Sequence, residues 1–105
     1  MNMTDVAIES LDHQTIALIG DLSFSNVMAI FEQLKLYLHA HPSVCRFDLK
    51  QLLVRDSSCL ACFVECARIR KTLIFIHCSK SIIQMAILTG LYDCLKIDKH
   101  MPLEG

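Results

Sequence analysis

The feature that most constrains the fold is the alternation of strand-like and helix-like segments within only 105 residues. Two short apolar segments open the chain, and three amphipathic helical segments follow, with a further short apolar run before the second helix and another before the third. Strands that alternate with helices pair in parallel through right-handed crossovers. The order ββαβαβα therefore predicts one α/β domain, a sandwich of a four-stranded mixed sheet with helices packed against it.

Alternating or continuous apolar runs predict the four strands. They occupy residues 3–10, 15–19, 44–49 and 73–76. Residues 50–55 are interpreted as a connection, residues 91–97 as a short helix or strand, and residues 97–105 as a frayed tail of a single domain that spans residues 1–105.

Serine and aspartate residues mark the predicted helix starts, because their side chains accept hydrogen bonds from free backbone N–H groups. Ser23 or Ser25 is predicted to cap the first helix, and Ser79 the third. The second helix is predicted from about Ser58 to Arg70. Apolar residues then recur at helical spacing in each segment. The first stripe consists of Val27, Ile30, Phe31, Leu34 and Leu38; the second of Leu60, Phe63, Val64 and Ala67; the third of Ile83, Ala86, Ile87 and Gly90.

The composition is unusually apolar for a small domain. Hydrophobic residues make up 53% and charged residues 20%, a surplus that indicates either a large core or a surface patch for a partner. The net charge of −1 gives no basic field for nucleic acid. No apolar run approaches the roughly 20 residues of a membrane span, and the N-terminus lacks the pattern of a signal peptide. We therefore expect a cytoplasmic protein without direct membrane insertion.

Six cysteines allow three interpretations. Cys59 and Cys62 form a Cys-x-x-Cys at a helix start, as in thiol redox proteins, and Cys66 lies on the same face, which raises the question of a metal site. Free, buried thiols are the commoner arrangement in a reducing compartment. No Gly-rich phosphate loop or nucleophile motif is present, so we expect neither an enzyme nor a cofactor.

The segment Asp56-Ser57-Ser58 also has two interpretations. Ser and Asp are common helix-capping residues, which makes a purely structural role the simpler one. A phosphate on Ser57 would add about −1.5 to −2 charge beside Asp56. The segment is then a helix start that a partner could recognise and that phosphorylation could switch.

Residues 5–97 resemble the STAS domain shared by sulfate transporters and anti-sigma-factor antagonists. Three segments carry the resemblance: residues 20–27, residues 48–58 and residues 85–92. The resemblance implies a STAS-like sandwich. It also implies that Ser57, flanked by Asp56 and Ser58, lies on the partner surface, where anti-sigma-factor antagonists carry the phosphorylated serine. Many members have a glycine where Cys59 stands.

Within this family, the small size and the phrase Leu-Ser-Phe-Ser-Asn-Val at residues 22–27 most resemble the MlaB group. These are STAS subunits of phospholipid-transporting ABC complexes. That resemblance implies a non-enzymatic subunit that docks the N-termini of its second and third helices on the cytoplasmic ATPase. It would lie peripherally at the inner membrane, and a homodimer could form when the partner is absent. The alternative is an anti-sigma-factor antagonist switched by phosphorylation of Ser57.

A second apolar stripe lies beside the predicted core face of the second helix. Together the two stripes make an apolar face that is wider than packing against one sheet requires. It borders the polar Glu65, and it either packs on a neighbouring helix or forms the rim of a partner site. These partner-interface candidates are Cys59, Cys62, Glu65, Cys66 and Ile69.

Overall fold

The computed structural model describes residues 6–98, and it places five strands and three α-helices along them. The strands are β1 (Val6–Ser10), β2 (Thr15–Leu22), β3 (Arg46–Asp48), β4 (Leu52–Val54) and β5 (Ile74–Ile76). The helices are α1 (Val27–Ala40), α2 (Leu60–Ile69) and α3 (Lys80–Leu88). Single 3₁₀ turns at Ser57–Cys59 and Tyr92–Cys94 precede α2 and follow α3. The predicted strand residues 3–5 and tail residues 99–105 lie outside the described residues.

The sheet is mixed, and its longest strand, β2, organises it. β1 pairs with β2 antiparallel, as a hairpin. The start of β2 pairs in parallel with β3, and its end pairs in parallel with β4. β5 completes the sheet in parallel with β3. The predicted α/β architecture with a mixed sheet is therefore confirmed.

The number of strands was wrong, because residues 50–55 are not only a connection. The short β4 lies within them, with Leu52 and Val54 buried and Leu53 half exposed. β3 leaves β2 after Ala17, so the rest of β2 needs another partner for its backbone hydrogen bonds. β4 supplies that partner over three residues, too few for a periodic pattern in the sequence.

The core lies where the apolar helix faces meet the sheet, and α1 packs against α2. In the middle of the core, the Phe63 ring on α2 lies 5.4 Å from the Phe75 ring on β5, which also meets Phe47 edge to face at 5.7 Å. The buried residues of α1 are Ile30, Leu34 and Leu38, all members of the predicted stripe. Those of α3 are Ile82 and Ala86. Ile87 is 58% exposed and does not belong to the core.

The helix starts agree only in part with the predicted caps. Ser79 caps α3, since its hydroxyl oxygen accepts a hydrogen bond of 3.2 Å from the Ile82 N–H. At α1 the N-cap residue is the buried Asn26 and neither predicted serine. The Asn26 side chain accepts from the Ser23 N–H at 2.9 Å and donates to the Asp21 carbonyl at 2.8 Å. It therefore fixes the loop between β2 and α1.

The chain after α3 returns to the sheet. Ile97 forms a parallel bridge with Phe75, and the Asp98 N–H donates to the Phe75 carbonyl at 3.0 Å. The predicted frayed tail is therefore wrong for residues 97 and 98. Within residues 6–98, no helix combines the length and the apolar character that crossing a bilayer requires.

Candidate functional site

The topology brings four chain segments to one edge of the sheet. β2, β3, β4 and β5 are parallel, so their carboxyl ends point the same way. Phe24 follows β2, Asp48 ends β3, Asp56 follows β4 and His77 follows β5. In α/β sheets this edge is where binding sites form.

Asp56 ties two of these segments together. One of its carboxylate oxygens accepts a hydrogen bond of 3.2 Å from the Phe24 N–H, and the other accepts one from the Ser58 hydroxyl. The Ser58 hydrogen bond is the main reason that the pKa of Asp56 lies below its usual value, and the Phe24 N–H contributes to the same shift. Asp56 is therefore a carboxylate at neutral pH. Its side chain joins the loop that holds Phe24 to the turn that holds Ser58.

Ser57 differs from both of its predicted companions. It is the first residue of the 3₁₀ turn that leads into α2, and it is exposed. Among residues 6–98 its hydroxyl has no hydrogen-bond partner, whereas the Ser58 hydroxyl is bonded to Asp56. The Ser57 hydroxyl is thus the free one of the pair, and it lies at the start of a helix.

Apolar side chains surround this helix start on the α1 side. Phe24 is 77% exposed and Met28 is 70% exposed. Beside them a groove of about 250 Å³ runs between α1 and α2. Its lining consists of Val27, Met28, Phe31, Ser58, Ala61, Cys62 and Glu65. The sequence did not lead us to predict Phe24 and Met28 as site residues. For Met28 a signal was present, because it is an apolar residue of the first helix that lies outside the predicted core stripe.

The cysteine stripe of α2 belongs to the core. Cys59 and Cys66 are fully buried and Cys62 is 6% exposed, at the floor of the groove. Leu60, Phe63 and the thiols form the buried face of α2, while Val64 and Ala67 are half-buried. As partner-interface candidates, the three cysteines stay a prediction, and of the three Cys62 reaches the groove.

The two non-cysteine members of the stripe lie nearer the surface. Glu65 is exposed and lies 3.3 Å from the Arg68 guanidinium, and Ile69 is half-buried against the core.

The buried thiols are poorly suited to redox or metal chemistry. Burial, with help from the neighbouring Asp56 charge, raises the pKa of Cys59 to about 11. A hydrogen bond with Cys62 and burial raise the pKa of Cys66. Thiolates, and not thiols, exchange disulfides and bind metals. In the part of the chain that the structure describes, no group of three or more His, Cys, Asp or Glu side chains is placed to hold a metal ion.

A pair at the same edge, the half-buried His77 and the buried Asp48, was not predicted. His77 has a left-handed backbone, with φ of 57°, and its Nδ1 lies 3.0 Å from a carboxylate oxygen of the buried Asp48, not aligned for a hydrogen bond. The same oxygen accepts a hydrogen bond of 2.9 Å from the Lys50 N–H. The sequence did hold a signal for this pair. Asp48 ends β3 and His77 follows β5, and the carboxyl ends of two parallel strands lie at the same edge of a sheet.

Two solved structures share this architecture. The anti-sigma factor antagonist SpoIIAA in its unphosphorylated form aligns with a TM-score of 0.62 and 16% identity, over 90% of this chain and 88% of that one. The Bacillus cell fate determinant SpoIIAA in the phosphorylated form aligns with a TM-score of 0.61 and 16% identity, over 90% of this chain and 91% of that one. The chain has the STAS fold. No family model and no curated protein sequence matches it.

The STAS fold confirms the predicted fold class. Both structural neighbours are regulatory proteins, and their names describe no catalysis. At 16% identity the likeness establishes the fold alone.

Proposed function

We propose that this chain is a non-enzymatic STAS protein that binds a partner protein through its Ser57 surface, and that phosphorylation of Ser57 switches this binding. The Ser57 surface comprises Phe24, Met28, Asp56, Ser57 and Ser58. The observation that carries the proposal is the exposed Ser57 hydroxyl, which has no hydrogen-bond partner among residues 6–98, at a helix start beside exposed apolar side chains. A kinase can reach such a hydroxyl, and a partner can cover the apolar groups.

The switch follows from the charge already present. Asp56 carries a full negative charge at neutral pH, since hydrogen bonds lower the pKa of its carboxyl. A phosphate on Ser57 adds about −1.5 to −2, so the surface reaches roughly −3. The α2 dipole offsets part of this charge. A partner that covers Phe24 would have to desolvate the phosphate, and its affinity would change accordingly.

Two further observations support a phospho-switch. SpoIIAA, which shares the fold, exists in unphosphorylated and phosphorylated forms. The family resemblance aligns the phosphorylated serine of anti-sigma-factor antagonists with Ser57. On this proposal the partners are a serine kinase and a protein that reads the unphosphorylated surface.

The test is mass spectrometry of the chain isolated from its own cells. We expect one added phosphate on Ser57, absent from Ser57→Ala and retained in Ser58→Ala. The Ser58 variant is the matched control, because it removes the neighbouring hydroxyl and leaves Ser57 in place. A phosphate found only elsewhere, or none in any growth phase, would contradict the switch.

A second candidate is binding to the cytoplasmic ATPase of a phospholipid-transporting ABC complex at the inner membrane. The observation that favours it is Phe24, the central aromatic residue of the phrase that resembles the MlaB group, which is 77% exposed next to Asp56. Aromatic side chains, Phe included, are enriched at the buried centres of protein–protein interfaces. Without its partner, the chain could form a homodimer over the same apolar side chains.

Co-purification separates the two candidates. An ABC ATPase that is bound by wild type and lost in Phe24→Ala supports the second candidate. A serine kinase in its place, with binding sensitive to Ser57→Asp, supports the first. Leu36→Ala is the control for both, since Leu36 is 71% exposed on α1 but lies outside the Ser57 surface. Equal recovery from all variants would contradict both.

A further inference from the structure

A second concave surface lies at the opposite end of α2 from Ser57. Ala67 lies ten positions after Ser57 along the 3₁₀ turn and α2, a rise of at least about 15 Å at 1.5 Å per residue. The concavity has a volume of about 360 Å³, at the lower end of the range for small-molecule pockets. We call it the basic pocket, and its lining residues are Val64, Ala67, Arg68, Lys71, Leu73, Cys94 and Lys96.

The floor and the rim of the basic pocket differ in chemistry. Leu73 is 1% exposed, and Val64 and Ala67 are half-buried, so the floor is apolar. The charged lining residues are all cations, and no carboxylate belongs to the lining. A chain of net charge −1 thus concentrates three of its positive side chains around one apolar depression.

Among residues 6–98, two of these cations have no acidic partner. Arg68 pairs with Glu65 at 3.3 Å, but both side chains are largely exposed, so this pair is weak. The Lys96 ammonium donates a hydrogen bond to the Lys71 carbonyl oxygen, which holds it at the rim. Among the residues that the structure describes, neither Lys71 nor Lys96 forms an ion pair. Their charges are available to an anion.

We propose that the basic pocket binds an anionic amphiphile, a phosphate or carboxylate head on a single apolar chain. The head would lie between Lys71 and Lys96, and the chain would cover Leu73 and its neighbours. The two parts of such a ligand match the two parts of the pocket. The ammonium groups bind the anionic head, and burial of the apolar floor under the chain is favourable because it removes apolar surface from water. This site is separate from the Ser57 surface and does not depend on the function proposed for it.

Cys94 provides a reporter inside the pocket. It is the exposed cysteine, whereas Cys45 is half-buried and the other four are buried. The experiment measures the rate at which iodoacetamide alkylates Cys94, with decyl phosphate added below its micelle concentration. We expect saturable protection by decyl phosphate. Decanol and inorganic phosphate, which each carry half of the ligand, should bind at least about tenfold more weakly.

The variants test the charge recognition. In Lys71→Gln/Lys96→Gln we expect half-protection to need about tenfold more decyl phosphate. Lys50→Gln/Lys80→Gln removes two exposed lysines outside the pocket and should leave the titration unchanged. The proposal is overturned if decyl phosphate gives no protection, if decanol protects equally well, or if the pocket variant titrates like wild type while its circular dichroism shows it folded.

Discussion

The two ends of α2 differ in the sign of their charge and in the shape of the surface around them. At the start, the Asp56 carboxylate directly precedes Ser57 in the chain, and Phe24 and Met28 are largely exposed. At the other end, Arg68 and Lys71 stand around an apolar floor that is recessed. The signs agree with the helix dipole, which favours acids at the start and bases at the end. The difference in surface shape does not follow from the dipole. Protruding apolar side chains suit a protein partner, whereas a recessed apolar floor suits a small ligand.

The buried middle of α2 anchors both ends of the helix to the core. A substitution there has the largest expected effect on the free energy of unfolding. Phe63 is 1% exposed and its ring lies 5.4 Å from that of Phe75. We expect Phe63→Ala to lower the free energy of unfolding by about 3–5 kcal/mol in urea denaturation, because it leaves a cavity in the core. Leu53→Ala, at a half-exposed position, is the control and should cost far less. A loss for Phe63→Ala below about 1 kcal/mol would mean that the core face is misplaced.

Thiol reactivity sharpens the comparison, since the buried Cys59 lies at the start of α2 and the exposed Cys94 lines the basic pocket near its other end. Burial raises the pKa of Cys59 from 9.0 to about 11, so its thiolate fraction at pH 8 is about a hundredfold below that of an ordinary thiol. Cys94 is exposed. We expect iodoacetamide to alkylate Cys94 at least about a hundredfold faster than Cys59, and Cys59 to gain reactivity up to about pH 11. Alkylation at each cysteine is measured by peptide mass spectrometry. Equal rates at Cys59 and Cys94 would contradict the burial of Cys59 and show that the start of α2 opens to solvent.

A pair of serine variants compares two helix starts. The Ser79 hydroxyl accepts a hydrogen bond from the Ile82 N–H and caps α3, whereas the Ser57 hydroxyl has no partner among residues 6–98. We expect Ser79→Ala to lower the free energy of unfolding by about 1 kcal/mol and Ser57→Ala to leave it nearly unchanged. Thermal or urea denaturation of both variants provides the measurement. A comparable loss in Ser57→Ala would show that this hydroxyl is structural and would weaken its assignment as a switch.

The smallest expected effect concerns the ion pair behind the Ser57 surface. The Arg55 guanidinium donates two hydrogen bonds of 2.7 Å to Asp21, and they lower the pKa of that carboxyl below 3.8. A lowered folded-state pKa stabilises the protein above the unfolded value and loses that contribution as the pH falls. We expect Asp21→Asn to destabilise at pH 7 by less than Ser79→Ala does, and the difference from wild type to vanish well below pH 3.8. A constant difference across this range would contradict the assignment.

The sequence was sufficient where a pattern was long or a local rule applied. Ile30, Leu34 and Leu38 recur over three helical turns, and all three are buried. Ser79 is a capping residue by its chemistry alone, and it caps α3. The position of Ser57 at the start of α2 follows from the same local rules, because Ser and Asp favour helix starts.

The sequence was insufficient where tertiary placement decides. The start of α2 is apolar at five successive positions, Leu60 to Val64, so no period distinguishes the core side from the other. The basic pocket joins Lys71 to Lys96 across 25 residues, through a return of the chain to β5 that no local pattern indicates. The exposure of Phe24 likewise depends on the Asp56 carboxylate that holds its loop.

Photo-crosslinking inside the native cells tests the central claim that the start of α2 is the regulated partner surface. A photoreactive phenylalanine derivative replaces Met28, which lies on α1 beside the start of α2, in one variant, and Lys71, just beyond the other end of α2, in a second. We predict that position 28 crosslinks to one protein, an ABC ATPase or a serine kinase, that position 71 does not, and that Ser57→Asp abolishes the adduct. The same adduct from both positions, or one that Ser57→Asp leaves unchanged, would contradict the account.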